Sequence, residues 1–370
     1  MNENNNLIPK IRFKGFTDDW EQRKLEEIID LGSGKDYKHL NHGNIPVYGT
    51  GGYMLSVDKA LSYTKDAIGI GRKGTIDKPY ILKAPFWTVD TLFYAICKDS
   101  NDINFVYSLF QKINWKEKDE STGVPSLSKV TINNVTANVT NFEEQNKIGK
   151  IFSNIDNLIT LHQRKLVKLQ NIKSSLLEKM FPKNSSNIPE IRFKGFTDDW
   201  EQRKLEEISN RFDNLRIPVA ANVREKGTIP YYGANGIQDH VKGYTHNGEF
   251  VLIAEDGAND LKNYPVKYVN GLFWANNHVH VIQGKKEICD NKYLKYCFSK
   301  TNIEALLVGG GRAKLNANIM MGIELKLCQF DEQFKIGELF NNIDNLITLH
   351  QRKLVKLQNI KKCLLEKMFV

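Results

Sequence analysis

Three glycines are the first residues whose spacing could do chemistry. Gly69, Gly71 and Gly74 keep the G-x-G-x-x-G pattern that wraps backbone amides around a dinucleotide pyrophosphate. That use needs a strand before the glycines and a helix after them. The next residues are Thr75-Ile76-Asp77-Lys78-Pro79, and Pro79 forbids the helix. The pattern reads as a glycine turn. No G-x-x-x-x-G-K-[ST] loop and no H-E-x-x-H helix occurs. Five cysteines, Cys97, Cys289, Cys297, Cys328 and Cys363, are scattered with no C-x-x-C among them. An odd, unpatterned set argues against a disulfide framework and against zinc. It predicts reduced thiols and a cytoplasmic protein. His162 and His350 fall on an apolar helix seam, where a packed, hydrogen-bonded ring is expected. The chain is expected to be non-catalytic by itself, with no metal and no cofactor of its own.

Other polar residues suit nucleic acid better. The 370 residues carry a formal charge of +9, which favours a polyanionic partner. Hydrophobic content of 41% supports packed cores, and no apolar run approaches the ~20 residues that span a bilayer. Arg72, Lys73, Ser126 and Lys129 are candidate groove or phosphate contacts in the first half of the chain. Asn235, His278, Arg312, Lys314 and Asn316 are candidates in the second half. Arginine suits guanine, asparagine suits adenine, and lysine mostly meets phosphate. Asp77-Lys78-Pro79-Tyr80 approaches the Asp/Asn-Pro-Pro-Tyr motif of adenine methyltransferases, but Lys78 replaces a proline the motif needs.

The elements that must position these residues are written twice. Ile8 to Ile28 returns as Ile188 to Ile208 with one change, Lys10 against Glu190. Ile148 to Phe181 returns as Ile336 to Phe369 with 5 changes in 34 positions. The segments between are not duplicated so closely, and the second is 8 residues longer. They share a weaker match: Ile45-Pro46-Val47-Tyr48-Gly49 with Ile229-Pro230-Tyr231-Tyr232-Gly233, Gly74 with Gly257, and Phe86-Trp87 with Phe273-Trp274. One fold with different loops is the expected design for two reading heads.

The pattern predicts a first recognition domain with its leader over 1–147, a long helix over 148–181 and a linker over 182–187. A second recognition domain over 188–335 and a second long helix over 336–370 complete the chain. The fold class is α+β: two similar mixed α/β domains separated by two long helices that form an antiparallel coiled-coil pair, with an internal pseudo-two-fold. Ile148, Ile151, Phe152, Ile155, Ile159, Leu166, Leu169, Ile172, Leu176 and Met180 keep the 3- and 4-residue spacing of a seam. Leu158, Leu166 and Leu169, with Leu346, Leu354 and Leu357, are expected to build the helix pair. Gln163, Arg164, Lys168, Gln170, Asn171 and Lys173 recur in the second helix although an apolar seam does not require them. Arg164, Lys168, Arg352 and Lys356 are therefore expected to dock two copies of one partner. At ~1.5 Å per residue such a helix is roughly 50 Å long. Half-sites about one DNA turn apart would leave a spacer of roughly 5 to 8 base pairs.

The order of these motifs resembles the specificity subunit of type I DNA restriction-modification enzymes. The shared features are a leader ending in W-E-Q-R-K-L, P-x-Y-G and F-W within each domain, and the S-T-G-x-x-S-L-S loop of Ser121 to Ser128. E-Q-x-K-I and the helix I-D-N-L-I-x-L-H-Q-R-K-L complete the series. The resemblance covers nearly the whole chain. It implies target recognition domains that read a bipartite duplex DNA site, and two copies of a modification subunit that methylates adenine from S-adenosylmethionine. It further implies restriction subunits that translocate DNA with ATP and Mg. The second loop departs from the first, Gly309-Gly310-Gly311-Arg312-Ala313-Lys314-Leu315-Asn316 against Ser121-Thr122-Gly123-Val124-Pro125-Ser126-Leu127-Ser128, so different half-sites are expected. A stand-alone DNA-binding regulator, and a self-contained restriction enzyme, are the competing readings.

Overall fold

The computed structural model describes residues 7–183, 186–309 and 313–370. The chain forms two compact units that do not follow chain order. One comprises Met1–Arg164 with Gln351–Val370, and the other Lys165–His350. Each unit takes the start of one long helix and the end of the other. The helices are therefore shared between the units, and the boundaries expected at 148–181 and 336–370 are displaced. The first long helix runs Phe142–Lys179 and the second Phe330–Met368. The first begins earlier than the repeated segment because the Asn141 side chain accepts from the Glu144 amide, an N-cap with acidic residues in its first turn.

In the first unit the leader strand Glu21–Lys24 pairs with Thr136–Val139. A four-stranded sheet orders Ile29–Ser33, Leu92–Cys97, Ala67–Gly71 and Tyr80–Leu82. A three-stranded one orders Gly52–Val57, His42–Gly49 and Trp87–Thr88. In the second unit the leader strand Glu201–Lys204 pairs with Glu324–Leu327. Here one long strand, Val266–Ala275, bridges what are two sheets in the first unit, giving six strands. Both units carry a parallel pairing in the same place, Val47 with Trp87 and Tyr231 with Trp274. Each unit also carries a shorter helix, Ile103–Lys112 in the first and Asn291–Phe298 in the second. A short 3-10 turn at Glu304–Leu306 follows the second.

The E-Q motif explains how each long helix is seated. Glu144 is fully buried and receives Arg12 in a two-pronged ion pair at 2.8 and 2.9 Å. Glu332 receives Arg192 in the same way. Gln145 accepts from the Asp102 amide and donates to Asn101 and to the Thr140 carbonyl. Gln333 accepts from the Asp290 amide and donates to two carbonyls. Gly149 and Gly337 let the capping carboxylates of Asp102 and Asp290 approach. A Cβ there would lie 2.1 and 2.6 Å from them.

Each unit is closed by the tail of a long helix. Phe369 stacks on Phe105 and meets Trp20 and Phe152. Phe181 stacks on Tyr293 and meets Trp200 and Phe340. Lys361 pairs with Asp156, and Lys173 with Asp344. Advancing along one helix means retreating along the other, so the pairing is antiparallel in both units. Lys173 and its repeat Lys361, which an apolar seam does not require, are spent in these pairs. Leu166, Leu169, Leu354 and Leu357 are half-buried. Leu158 and Leu346, expected in the helix-pair core, are instead 44% and 45% exposed, and Ile172 is also exposed. The 3- and 4-residue spacing passes through Ile159, His162 and Lys173, which turns these three aside.

Candidate nucleic-acid interface

One edge recurs in both units, made from the end of a central strand and the loop before a short helix. In the first unit the strand Ala67–Gly71 ends in a turn at Gly74, whose φ of 93° favours glycine. The Leu127 amide donates to the Arg72 carbonyl, and Lys73 bridges to Ser126. Arg72, Lys73 and Ser126 are thus brought together, with the two cations exposed. The Arg72 guanidinium stands 5.9 Å from the Phe93 ring. Lys129 lies on the following helix, and its ammonium donates to the Leu31 carbonyl. The glycine pattern leads into another strand, Tyr80–Leu82. Asp77 pairs with Lys116, and the Tyr80 hydroxyl donates to the Gly49 carbonyl. Both take part in holding the fold.

In the second unit the Leu315 amide donates to the Glu255 carbonyl, and Asp256 bridges to Lys314. Glu255 and Asp256 therefore stand where Arg72 and Lys73 stand. The charge type at these two strand positions is reversed between the units. Lys314 neutralises Glu255 at 2.8 Å, and His278 Nδ1 lies 2.6 Å from Asp256. Asn235 is at a hairpin tip, donating to the Gly257 carbonyl and accepting from the Asn259 amide. Asn316 precedes the short helix Ala317–Met321. Arg312 lies outside the described residues. Lys314, His278 and Asn235 thus have internal partners that the sequence did not reveal.

Beneath this edge is a buried ion network. His280 is fully buried, with Nδ1 2.7 Å from an Asp213 oxygen and Nε2 2.8 Å from the Leu315 carbonyl. Arg216 reaches Glu255 at 2.5 Å. Burial alone would raise Asp213. Its hydrogen bond and charge contact with His280, the Val281 amide and Arg216 outweigh that and hold it below the usual carboxylate range. Burial is likewise overcome at Glu255 by Lys314 and Arg216. Asp213, Glu255 and His280 have ligand atoms within 4.8 Å of one another. However, Lys314 and Arg216 take both Glu255 oxygens, so the cluster is an ion-pair network. Gly74 aligned with Gly257 was the available signal for the Arg72–Glu255 exchange, two residues earlier.

The long helices present a second kind of surface. Arg164, Lys168, Arg352 and Lys356 are exposed. Among them lie Val167 at 56% exposure and its repeat Val355 at 55%. Gln351, Arg352, Val355, Lys356, Asn359 and Ile360 line a shallow apolar groove on the second helix. Among the described residues no helix is long and apolar enough to cross a membrane.

The sequence and the fold match a known class. The family model of the type I restriction modification DNA specificity domain matches twice, at residues 17–171 and 197–359. The chain belongs to this family. A candidate type I restriction enzyme specificity subunit of Haemophilus influenzae is 41% identical over 164 residues, 44% of this chain and 42% of that one. This chain thus spans less than half the length of that relative. The MjaVIII type I restriction enzyme specificity subunit of Methanocaldococcus jannaschii is 24% identical over 296 residues, 72% of this chain and 68% of that one. The crystal structure of the type I restriction-modification S subunit from M. genitalium superposes with a TM-score of 0.78. It has 16% identity and covers 98% of this chain and 99% of that one, which shows a common fold.

Proposed function

We propose that this chain is the non-catalytic specificity subunit that reads a bipartite duplex DNA target, one half-site per unit, and holds two modification subunits on its long helices. The carrying observation is the contrast between surfaces. The helices expose the same polar and apolar residues twice, whereas equivalent edge positions are Arg72 and Lys73 in one unit and Glu255 and Asp256 in the other. Exposed Arg72 and Lys73 suit guanine or phosphate, whereas Glu255 and Asp256 are held in ion pairs with Lys314 and His278, which changes what that edge can offer a base. Two unlike edges on one scaffold support two unlike half-sites. Two like helix stripes support one partner bound twice. S-adenosylmethionine would then belong to the modification subunits, and ATP and Mg to restriction subunits joined through them.

The test is methylation sequencing of DNA from cells expressing this chain with its modification subunit, beside controls lacking either. The expected result is a new bipartite N6-methyladenine motif that needs both proteins. Association of the two proteins without any new motif would sink this reading and favour a stand-alone DNA-binding regulator.

A further inference from the structure

The two units hold their edge loops by different means. In the first, Asp119 Oδ1 accepts from the amides of Ser121 and Ser126 and from the Ser121 hydroxyl, so the loop is latched from within. In the second, Val308 and Lys314 exchange two backbone hydrogen bonds at 2.9 Å and close the loop mouth. Leu315, just outside that mouth, is fully buried. Its amide donates to the Glu255 carbonyl and its own carbonyl faces His280. The Leu315 carbonyl on one side and the Asp213 carboxylate on the other hold the His280 ring at both nitrogens. Phe93 occupies the equivalent strand position in the first unit, because the Arg72 amide meets the Thr91 carbonyl as the Glu255 amide meets that of His278. A phenyl ring can donate to neither partner.

We infer that His280, set by Asp213, is a positioning residue that fixes the Lys314–Leu315–Asn316 stretch of the second unit through the Leu315 carbonyl, and so sharpens the base preference of the second half-site alone. This rests on the reading of the edges as DNA-facing. His280 touches no DNA in this scheme. It acts on the loop through Leu315 and leaves the first unit untouched, which makes that unit an internal control.

Hydrogen exchange on the full chain tests the latch without DNA. His280→Phe should speed exchange of the Leu315 amide and its loop neighbours roughly tenfold, the effect of about one lost hydrogen bond. Strand amides of Val251 to Ala254 should keep their protection. Should His280→Phe fail to fold, Asp213→Asn keeps the shape while weakening the hold on the ring, and it should show the same local effect more weakly. Unchanged loop exchange in folded variants overturns the latch. Methylation sequencing with the modification subunit then reads the consequence. The variant's motif should become degenerate in one half-site and stay strict in the other, while total DNA affinity at low salt changes less than twofold. Faster loop exchange with both half-sites still strict overturns the specificity role. Absence of a bipartite motif with the unsubstituted chain would instead overturn the DNA reading beneath it.

Discussion

At the scale of single residues, the strongest constraints are buried charges that must stay paired. Glu144 has no exposed surface and Arg12 little. Removing the charge from one member strands the other, which costs about 3 to 5 kcal/mol. Glu144→Gln should therefore destabilise the first unit by that order in urea unfolding, with Glu332→Gln doing the same to the second. Acid should act on the second unit through Asp213, Glu255 and Asp344, all held below their ordinary values against the pull of burial. Such groups contribute stability that is full above their unfolded values of about 4. It is lost as pH falls through the lower folded values. Asp290, raised by burial, works the opposite way, and in the window just above its unfolded value. Stability measured from pH 5 to 2 should drop, and Asp213→Asn should flatten the drop. That Arg72 and Lys73 sit at a strand end was legible because a glycine turn marks where the strand stops. Asp213 and His280 were not, because residues 67 apart meet only once the sheet exists.

At the scale of elements, the long helices obey two demands at once. One face seats against its unit and the other stays open. Gly337 lies where a methyl group would press on Asp290 and on the Tyr293 amide. Gly337→Ala should push the Asn291–Phe298 helix outward and cost about 1 to 3 kcal/mol, visible as a lower melting temperature of the second unit. The open face predicts the reverse separation of effects. Arg164→Glu with Arg352→Glu should leave unfolding within about 0.5 kcal/mol of the parent yet weaken assembly with the modification subunit. Size-exclusion light scattering would detect the loss, and unchanged assembly would remove these arginines from the docking face. Helix periodicity made the seam readable along most of its length. It misplaced Leu158, Leu346 and Ile172 because a recurring apolar residue can serve an outward stripe as well as a core. The Asn141 cap lies upstream of the repeated segment, so the repeat by itself does not mark where the helix starts.

At the scale of the whole molecule, duplication was plain in the sequence, whereas the way the copies are closed was not. Reading domains in chain order assigns each long helix wholly to itself. In the folded chain Met368 and Phe369 belong to the core that also holds Trp20, and Met180 and Phe181 to the core that holds Trp200. Only packing reveals that exchange, since the two tails are nearly identical in sequence. Phe369→Ala removes a stacked ring from the first core and should cost about 3 to 5 kcal/mol there. Phe181→Ala should do so in the second core. Calorimetry of the two variants should show the loss moving from one transition to the other, and equal weakening of both by either variant would contradict independent closure.

That closure also sets an order of completion during synthesis. The second unit is continuous from residue 165 to residue 350, so everything it needs leaves the ribosome in one stretch. The first unit waits for residues 351 to 370, which are translated after all of its other parts. The half that is translated first is therefore the half that is finished last, and until then its aromatic core stands open beside a nascent chain.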